Sequence, residues 1–109
     1  MSSFVTGKDL ENKIGDIIFS AKRTLLIVSP FIKLDDYFKK LFDKHLHSPE
    51  LQIIIIFGKN EGQAYKSLSK NDFEYFQKFN NISIIYIPDL HGKYYGNEDK
   101  MGQKKLHTT

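Results

Sequence analysis

Apolar residues recur at helical spacing near the start of the chain. Five of them fall on one side of a helix, while polar residues occupy the other side: Leu10, Ile14, Ile17, Ile18 and Ala21. Thr6 lies three residues before Asp9, a spacing that resembles a helix-capping box. The pattern predicts an amphipathic helix as the first element.

Three short runs are apolar on both faces of an extended chain: residues 24–29, 52–57 and 82–87. Pro30, Gly58 and Pro88 follow these runs directly and mark their ends. Such runs are typical of central strands that are covered on both sides. We therefore expect eight of their residues to be almost fully buried in one sheet: Leu26, Ile27, Val28, Ile54, Ile55, Ile56, Ile84 and Ile85.

Two further helices are predicted between these strands. The second begins near Asp35 and presents an apolar side made of Phe38, Leu41, Phe42, His45 and Leu46. The third is capped by Ser69, with Asp72 three residues later. His45 falls on the apolar side of the second helix, so we expect it to be packed rather than to bind a ligand.

The elements follow the order α-β-α-β-α-β-β, with residues 91–97 as the fourth strand. Strands that alternate with helices predict an α/β sandwich with a mixed, mostly parallel sheet and helices on both faces. The connection before residue 91 is too short for a parallel crossover, so the fourth strand should run antiparallel to the third. We expect one domain over residues 1–99 and an atypical tail over residues 100–109.

Ligands of such sheets bind at the carboxyl ends of the parallel strands. This edge would carry Ser29 after the first strand, and Lys59 and Asn60 after the second. All three are candidate substrate-binding residues, although ordinary strand-to-helix turns would explain them equally well.

Composition limits the classes of protein that the chain can represent. It has 109 residues, 40% of them apolar and 27% charged, with a net charge of +3. These values fit one folded domain with a mild preference for polyanions. The absence of cysteine excludes disulfides and thiolate chemistry. No apolar run follows a basic start and none could cross a bilayer, so we expect a cytoplasmic protein without stable membrane insertion.

The clearest chemical signal is the pair His91 and Lys93, which directly follows the third apolar run. In an extended segment these two side chains would point the same way. An ammonium can neutralise phosphoryl oxygens, and an imidazole can attack phosphorus or transfer a proton. The pair therefore indicates a phosphate site.

The segment from Leu90 to Glu98 resembles the first half of the motif of the phospholipase D superfamily. That motif has His-x-Lys followed four residues later by an acid, and its bacterial branch writes it as Leu-His-small-Lys-Tyr-Tyr-small-Asn-Glu. The order of helices and strands from about Leu10 onward is also similar to this family. The resemblance implies the phospholipase D and nuclease fold.

The resemblance also implies a reaction. His91 would be the nucleophile that forms a phosphohistidine, or the acid and base that serves the leaving group and water. Lys93 would bind non-bridging oxygens, and Asn97 would assist in binding the substrate. Glu98 stands where the family has aspartate and would orient or balance the lysine. No metal or other cofactor is implied.

The chain departs from the family in two respects. It holds a single His-x-Lys motif, so a complete site would need a second copy of the chain, supplied by a two-fold homodimer. After Asp99 the chain also lacks the strand with Gly-Ser and Asn that continues the family motif. We expect the part of the fold that follows Asp99 to be missing, and the fold to survive this better than the activity.

Three functions remain open at this point. The first is a metal-independent phosphodiesterase that acts on DNA or RNA in preference to phospholipid. The second is a non-catalytic fragment that binds phosphate or nucleic acid, and the third is a phospholipid-hydrolysing enzyme. A receiver-like domain is disfavoured because no glycine-rich phosphate loop or acidic pocket follows the first strand.

Overall fold

The computed structural model describes residues 7–58 and 64–99. Three helices are present in this part of the chain: α1 (Gly7–Ser20), α2 (Asp36–Asp43) and α3 (Lys70–Phe76). A single turn of 3-10 helix, Ala64–Lys66, precedes α3. The strands are β1 (Thr24–Ser29), β2 (Gln52–Phe57), β3 (Ile82–Tyr86) and β4 (Tyr94–Asn97). The predicted order of elements is confirmed, and no helix among the described residues is long and apolar enough to cross a membrane.

The starts of α2 and α3 are fixed by side-chain caps. The Asp35 carboxylate accepts a hydrogen bond of 2.9 Å from the Phe38 N–H, and the Ser69 hydroxyl accepts one of 3.1 Å from the Asp72 N–H. Each bond satisfies a backbone donor that has no partner inside the helix. The predicted cap at Ser69 is confirmed, whereas Thr6 lies outside the described residues.

The four strands form one mixed sheet in the order β3-β2-β1-β4. β1 pairs in parallel with β2, and β2 pairs in parallel with β3. β4 pairs antiparallel with β1, from Leu25 opposite Asn97 to Val28 opposite Tyr94. It runs opposite to β3 as predicted, but β1 and β2 lie between them.

The core lies between the three helices and one face of the sheet. That face contributes buried residues such as Leu25, Ile53 and Ile55. The helices contribute Ile18, Phe42 and Phe76, and the last two rings meet edge to face with centroids 5.3 Å apart. All of these residues belong to a single apolar cluster.

The other face of the sheet is not covered by a helix in the described part of the chain, which differs from the prediction of helices on both faces. Leu26, Val28, Ile54 and Ile56 are only half-buried, and Ile85 is 42% exposed. The prediction that these residues would be almost fully buried is wrong. It is also wrong for Ile84, which is half-buried although it packs against the core. It holds for Ile27 and Ile55, which point to the helices.

The handedness of the crossovers explains this one-sided arrangement. The chain moves in one direction across the sheet, from β1 to β2 to β3, and almost all such parallel crossovers are right-handed. Two right-handed crossovers in the same direction place α2 and α3 on the same face. α1 packs on α2 and β4, so it joins the same layer.

Candidate functional site

The segment from Ile87 to Lys93 crosses the edge of the sheet at which the parallel strands end. It leaves β3 at one side and enters β4 beyond β1, so it passes the carboxyl ends of β2 and β1. Two backbone hydrogen bonds hold it there, from the Ile87 N–H to Phe57 O at 2.8 Å and from the Leu90 N–H to Gly58 O at 3.0 Å. We call this segment the edge loop.

Gly58 allows the edge loop to lie against the end of β2. Its φ is 145°, and a Cβ atom at this position would lie 2.0 Å from the Ile87 carbonyl oxygen. Only glycine accommodates both the dihedral angle and the contact. The sequence therefore places glycine where the loop and the strand end meet.

His91 in the edge loop lies next to a carboxylate two residues earlier. Its Nε2 atom lies 3.2 Å from Oδ1 of Asp89, and the side chains are 58% and 78% exposed. Asp89 has a φ of 64°, a left-handed conformation that aspartate tolerates better than most residues. A carboxylate that holds one ring nitrogen orients the imidazole and leaves the second nitrogen available for chemistry.

Lys93 is exposed and directly precedes β4. The predicted strand over residues 91–97 is therefore shorter in the structure, and neither Lys93 nor His91 belongs to it. Continuation of the β1–β4 register would bring Gly92 opposite Pro30, which has no N–H to donate to the ladder. The pair lies in a loop at the edge of the sheet.

Ser29 lies at the same edge, at the end of β1, but its side chain points into the helix-covered layer. It is buried, and its hydroxyl donates a hydrogen bond of 2.8 Å to the Phe31 carbonyl. Its neighbour Tyr95 has a pKa raised by burial, with a smaller opposite effect from a hydrogen bond to Ser29. Both residues line a small apolar cavity of about 100 Å³ under the loop that follows β1.

Asn97 and Glu98 lie at the far end of β4 from the edge loop. The Asn97 amide is buried and donates to Ile17 O at 2.7 Å and to Ser20 Oγ at 3.0 Å. It thereby ties the end of β4 to the last turn of α1. The structure does not bring it next to His91 and Lys93, because β4 separates them.

The Glu98 carboxylate accepts hydrogen bonds from three successive backbone N–H groups, those of Lys22, Arg23 and Thr24, at 2.9 to 3.1 Å. Burial favours its neutral form, but these hydrogen bonds outweigh burial and lower its pKa to about 2. The side chain joins the end of β4 to the turn before β1. It has no contact of this kind with Lys93, which the resemblance implied as its partner.

Two other candidate residues, Lys59 and Asn60, lie outside the described residues. The sequence reasoning did not single out two exposed lysines of the same edge, Lys33 after β1 and Lys66 after β2. Their segments are joined by a hydrogen bond of 2.9 Å from the Ile32 N–H to Ser67 O. A separate count of cations in the turns that follow parallel strands could have found both lysines.

His45 is packed, as predicted. It is 5% exposed, and its Nε2 atom lies 2.7 Å from the Ile18 carbonyl oxygen, so this nitrogen carries the proton. Burial lowers the pKa of His45, followed by an opposite effect of the bond to Ile18. It borders an open crevice of about 600 Å³ with Lys44 and Asp99, away from the edge loop.

Within residues 7–58 and 64–99, no three histidine, aspartate or glutamate side chains are grouped as metal ligands would be. A comparison with protein-family models finds no match for the chain. A comparison with curated proteins finds no match either.

Proposed function

We propose that this chain is a phospholipase D-like phosphodiesterase domain that cleaves DNA or RNA without a metal ion, through a phosphohistidine on His91. The observation that carries the proposal is the contact of His91 with Asp89 in the loop that crosses the carboxyl edge of the sheet. This edge is where open α/β sheets bind their ligands. The His-x-Lys pattern and its neighbours supply the resemblance to the family.

The proposed chemistry uses three side chains of the edge loop. His91 attacks phosphorus with the ring nitrogen that Asp89 does not hold, and the P–O bond to the leaving alkoxide breaks. Lys93, which is exposed, binds the non-bridging oxygens and offsets the charge that develops on them. Water then cleaves the phosphohistidine, and the histidine is regenerated.

The proton for the leaving alkoxide must come from a second group. In the family this is a second motif histidine, and the chain holds one His-x-Lys motif. We propose that a second copy of the chain contributes its own His91 to the same site. This requirement makes the active species a homodimer, as the resemblance implies.

A nucleic acid fits the proposal better than a phospholipid because the cations of this edge are spread along it. Lys33, Lys66 and Lys93 follow or precede three different strands of the sheet and are exposed. A polyanion could contact several of them at once, whereas a single headgroup could contact few. A binding fragment without activity is the second candidate, and Asn97 and Glu98 favour it, since neither contacts the edge loop.

Turnover of labelled single-stranded DNA, RNA and phosphatidylcholine vesicles, each with and without a chelator, tests the proposal. We expect the nucleic acids to be cleaved and the chelator to have no effect. Cleavage that the chelator abolishes would contradict the mechanism, and binding of DNA without any cleavage would select the fragment. Cleavage of the vesicles alone would contradict the substrate.

A further inference from the structure

Two aromatic side chains are exposed at the carboxyl edge of the sheet, which the edge loop also crosses. Phe31 follows β1 and is 54% exposed, and Tyr65 lies in the 3-10 turn between β2 and α3 and is 62% exposed. Each has an exposed lysine close to it in the sequence, since Lys33 lies two residues after Phe31 and Lys66 directly follows Tyr65. We call these four residues the edge platform.

Backbone pairing holds the two halves of the edge platform together. The Ile32 N–H donates a hydrogen bond of 2.9 Å to Ser67 O, and Ile32 forms a parallel bridge with Leu68. This register places Phe31 opposite Ser67, at the usual strand spacing of about 4.8 Å. Tyr65 precedes Ser67 by two residues, which span at most about 7 Å. The Cα atoms of the two aromatic residues are therefore at most about 12 Å apart.

The rings of the edge platform differ from the other exposed rings in their surroundings. Four aromatic side chains of the described residues are largely exposed: Phe19, Phe31, Tyr37 and Tyr65. The Lys44 ammonium lies 3.5 Å from the centroid of the Phe19 ring, and the Tyr37 and Phe38 ring centroids are 5.2 Å apart. Within residues 7–58 and 64–99, no ring or cation covers Phe31 or Tyr65 in this way. The two uncovered rings both lie at the carboxyl edge.

We propose that the edge platform binds single-stranded nucleic acid by stacking one base on Phe31 and another on Tyr65. This inference deepens the proposed function, because it rests on the choice of a nucleic acid but not on the phosphohistidine. An aromatic ring can stack on any base, so such a site tolerates different sequences. Lys33 and Lys66 lie close to the rings and neutralise phosphates of the bound strand.

The two rings favour an unpaired strand over a duplex and over a bilayer. The bases of a duplex stack on one another, so only an unpaired strand offers their faces to a protein ring. Binding to a bilayer needs a broad apolar surface, which two rings do not supply. Asp35 and Asp89 are also exposed near this edge and repel phosphate. Stacking, rather than net charge, therefore supplies most of the affinity.

The test is the binding of a short fluorescein-labelled oligothymidine, measured by fluorescence anisotropy. The parent protein is His91→Ala, so that turnover does not consume the probe. Phe31→Leu and Tyr65→Leu keep an apolar side chain but remove the ring, and each should weaken binding by about fivefold or more. Tyr65→Phe keeps the ring and should bind as the parent does. Annealing the probe to its complement should weaken binding by about tenfold or more.

Phe19→Leu is the matched control, because Phe19 is 54% exposed, as Phe31 is, but lies at the end of α1 that precedes β1. It should leave binding unchanged. Lys66→Gln should reduce the slope of log affinity against log salt concentration by about 0.7, the value for one phosphate contact on a single strand. The leucine variants should leave this slope unchanged, because they remove no charge.

The proposal is overturned if both leucine variants bind the probe as the parent does, if the duplex binds equally well, or if Phe19→Leu weakens binding to the same extent. Binding to phosphatidylserine vesicles and not to the probe would also overturn it, since a membrane would then be the partner. Binding and turnover are separate readouts. Probe binding by wild type without cleavage would reject the phosphodiesterase alone. Cleavage by wild type, with unchanged binding in both leucine variants, would reject the edge platform alone.

Discussion

The Nε2 atom of His91 lies 3.2 Å from the Oδ1 atom of Asp89, and both residues belong to the loop that crosses the carboxyl edge of the sheet. Asp89 adopts a left-handed backbone with a φ of 64°. This conformation turns the chain back on itself, so that two side chains close in sequence can meet. The contact places a carboxylate beside the histidine of the His-x-Lys pattern.

Asp89→Asn should lower turnover by about tenfold, since it replaces the carboxylate beside the imidazole by a neutral amide. Asparagine accepts the left-handed conformation, so the loop should keep its course. Steady-state kinetics should show the loss in kcat. The melting temperature should stay within about 1 °C of the wild-type value, since exposed pairs contribute little to stability. An equal loss of stability and activity would mean that Asp89 only supports the loop.

Glu98→Gln should reduce the stability of the fold. The amide oxygen can replace one carboxylate oxygen, but the amide N–H₂ would face a backbone donor such as the Lys22 N–H. The cost should be about 1 kcal/mol in urea unfolding, because the donors are exposed and water can replace part of the lost hydrogen bonding. Glu74→Gln on the exposed side of α3 is the control and should change stability by less than about 0.5 kcal/mol.

The lowered pKa of Glu98 predicts how the stability of the fold depends on pH. The pKa of Glu98 is about 2 in the fold, below its usual value of 4.5. A carboxylate with a lowered pKa stabilises the fold above pH 4.5, and this stabilisation is lost as the pH falls from 4.5 towards 2. Unfolding at a series of pH values should show a smaller acid-dependent loss in Glu98→Gln than in wild type. An identical acid dependence in both proteins would contradict this role.

Gly58→Ala should displace the edge loop from the end of β2. The added Cβ atom would lie 2.0 Å from the Ile87 carbonyl oxygen, at a φ of 145° that alanine disfavours. We expect the free energy of unfolding to fall by about 2 kcal/mol or more, because the backbone of both β2 and the edge loop must move. Gly92→Ala, where the φ is not positive, serves as the stability control. Equal stability of the two variants would show that the contact is not rigid.

Substitutions at Ile55 and Ile85, on neighbouring strands, test whether the core lies on only one face of the sheet. Ile55 is fully buried on the helix face of the sheet, whereas Ile85 is 42% exposed on the opposite face. Ile55→Ala should cost about 2–5 kcal/mol. Ile85→Ala should cost about 1 kcal/mol or less, because this side chain is already partly exposed. Similar costs for both would contradict a core that lies on only one face of the sheet.

The helices and strands could be predicted because their signals are local. Apolar periodicity marked α1 and the three parallel strands, and Ser69 and Asp35 marked helix starts. The uncovered face could not be read in this way, because an apolar run such as residues 52–57 looks the same with one or two covered faces. Its cause is the order of the strands, which depends on pairings between distant parts of the chain.

The candidate site was predictable in part, for the same reason. His91 and Lys93 were visible as a short pattern, and the structure places them at the edge where ligands of α/β sheets bind. Glu98 satisfies the backbone of Thr24, 74 residues away, and no local pattern reports such a contact. The contact of Asp89 with His91 depends on a left-handed backbone at Asp89, which no pattern in the sequence predicts.

The most direct test of the proposed phosphodiesterase is the chelator-resistant cleavage of end-labelled DNA by wild type, His91→Ala, Lys93→Ala and His47→Ala. His47 is an exposed histidine in the turn after α2 and is the matched control. We predict cleavage by wild type and His47→Ala, none by His91→Ala, and a loss of roughly a hundredfold in Lys93→Ala from a few kcal/mol of lost transition-state stabilisation. Cleavage by His91→Ala at the wild-type rate, with its fold intact, would contradict the account.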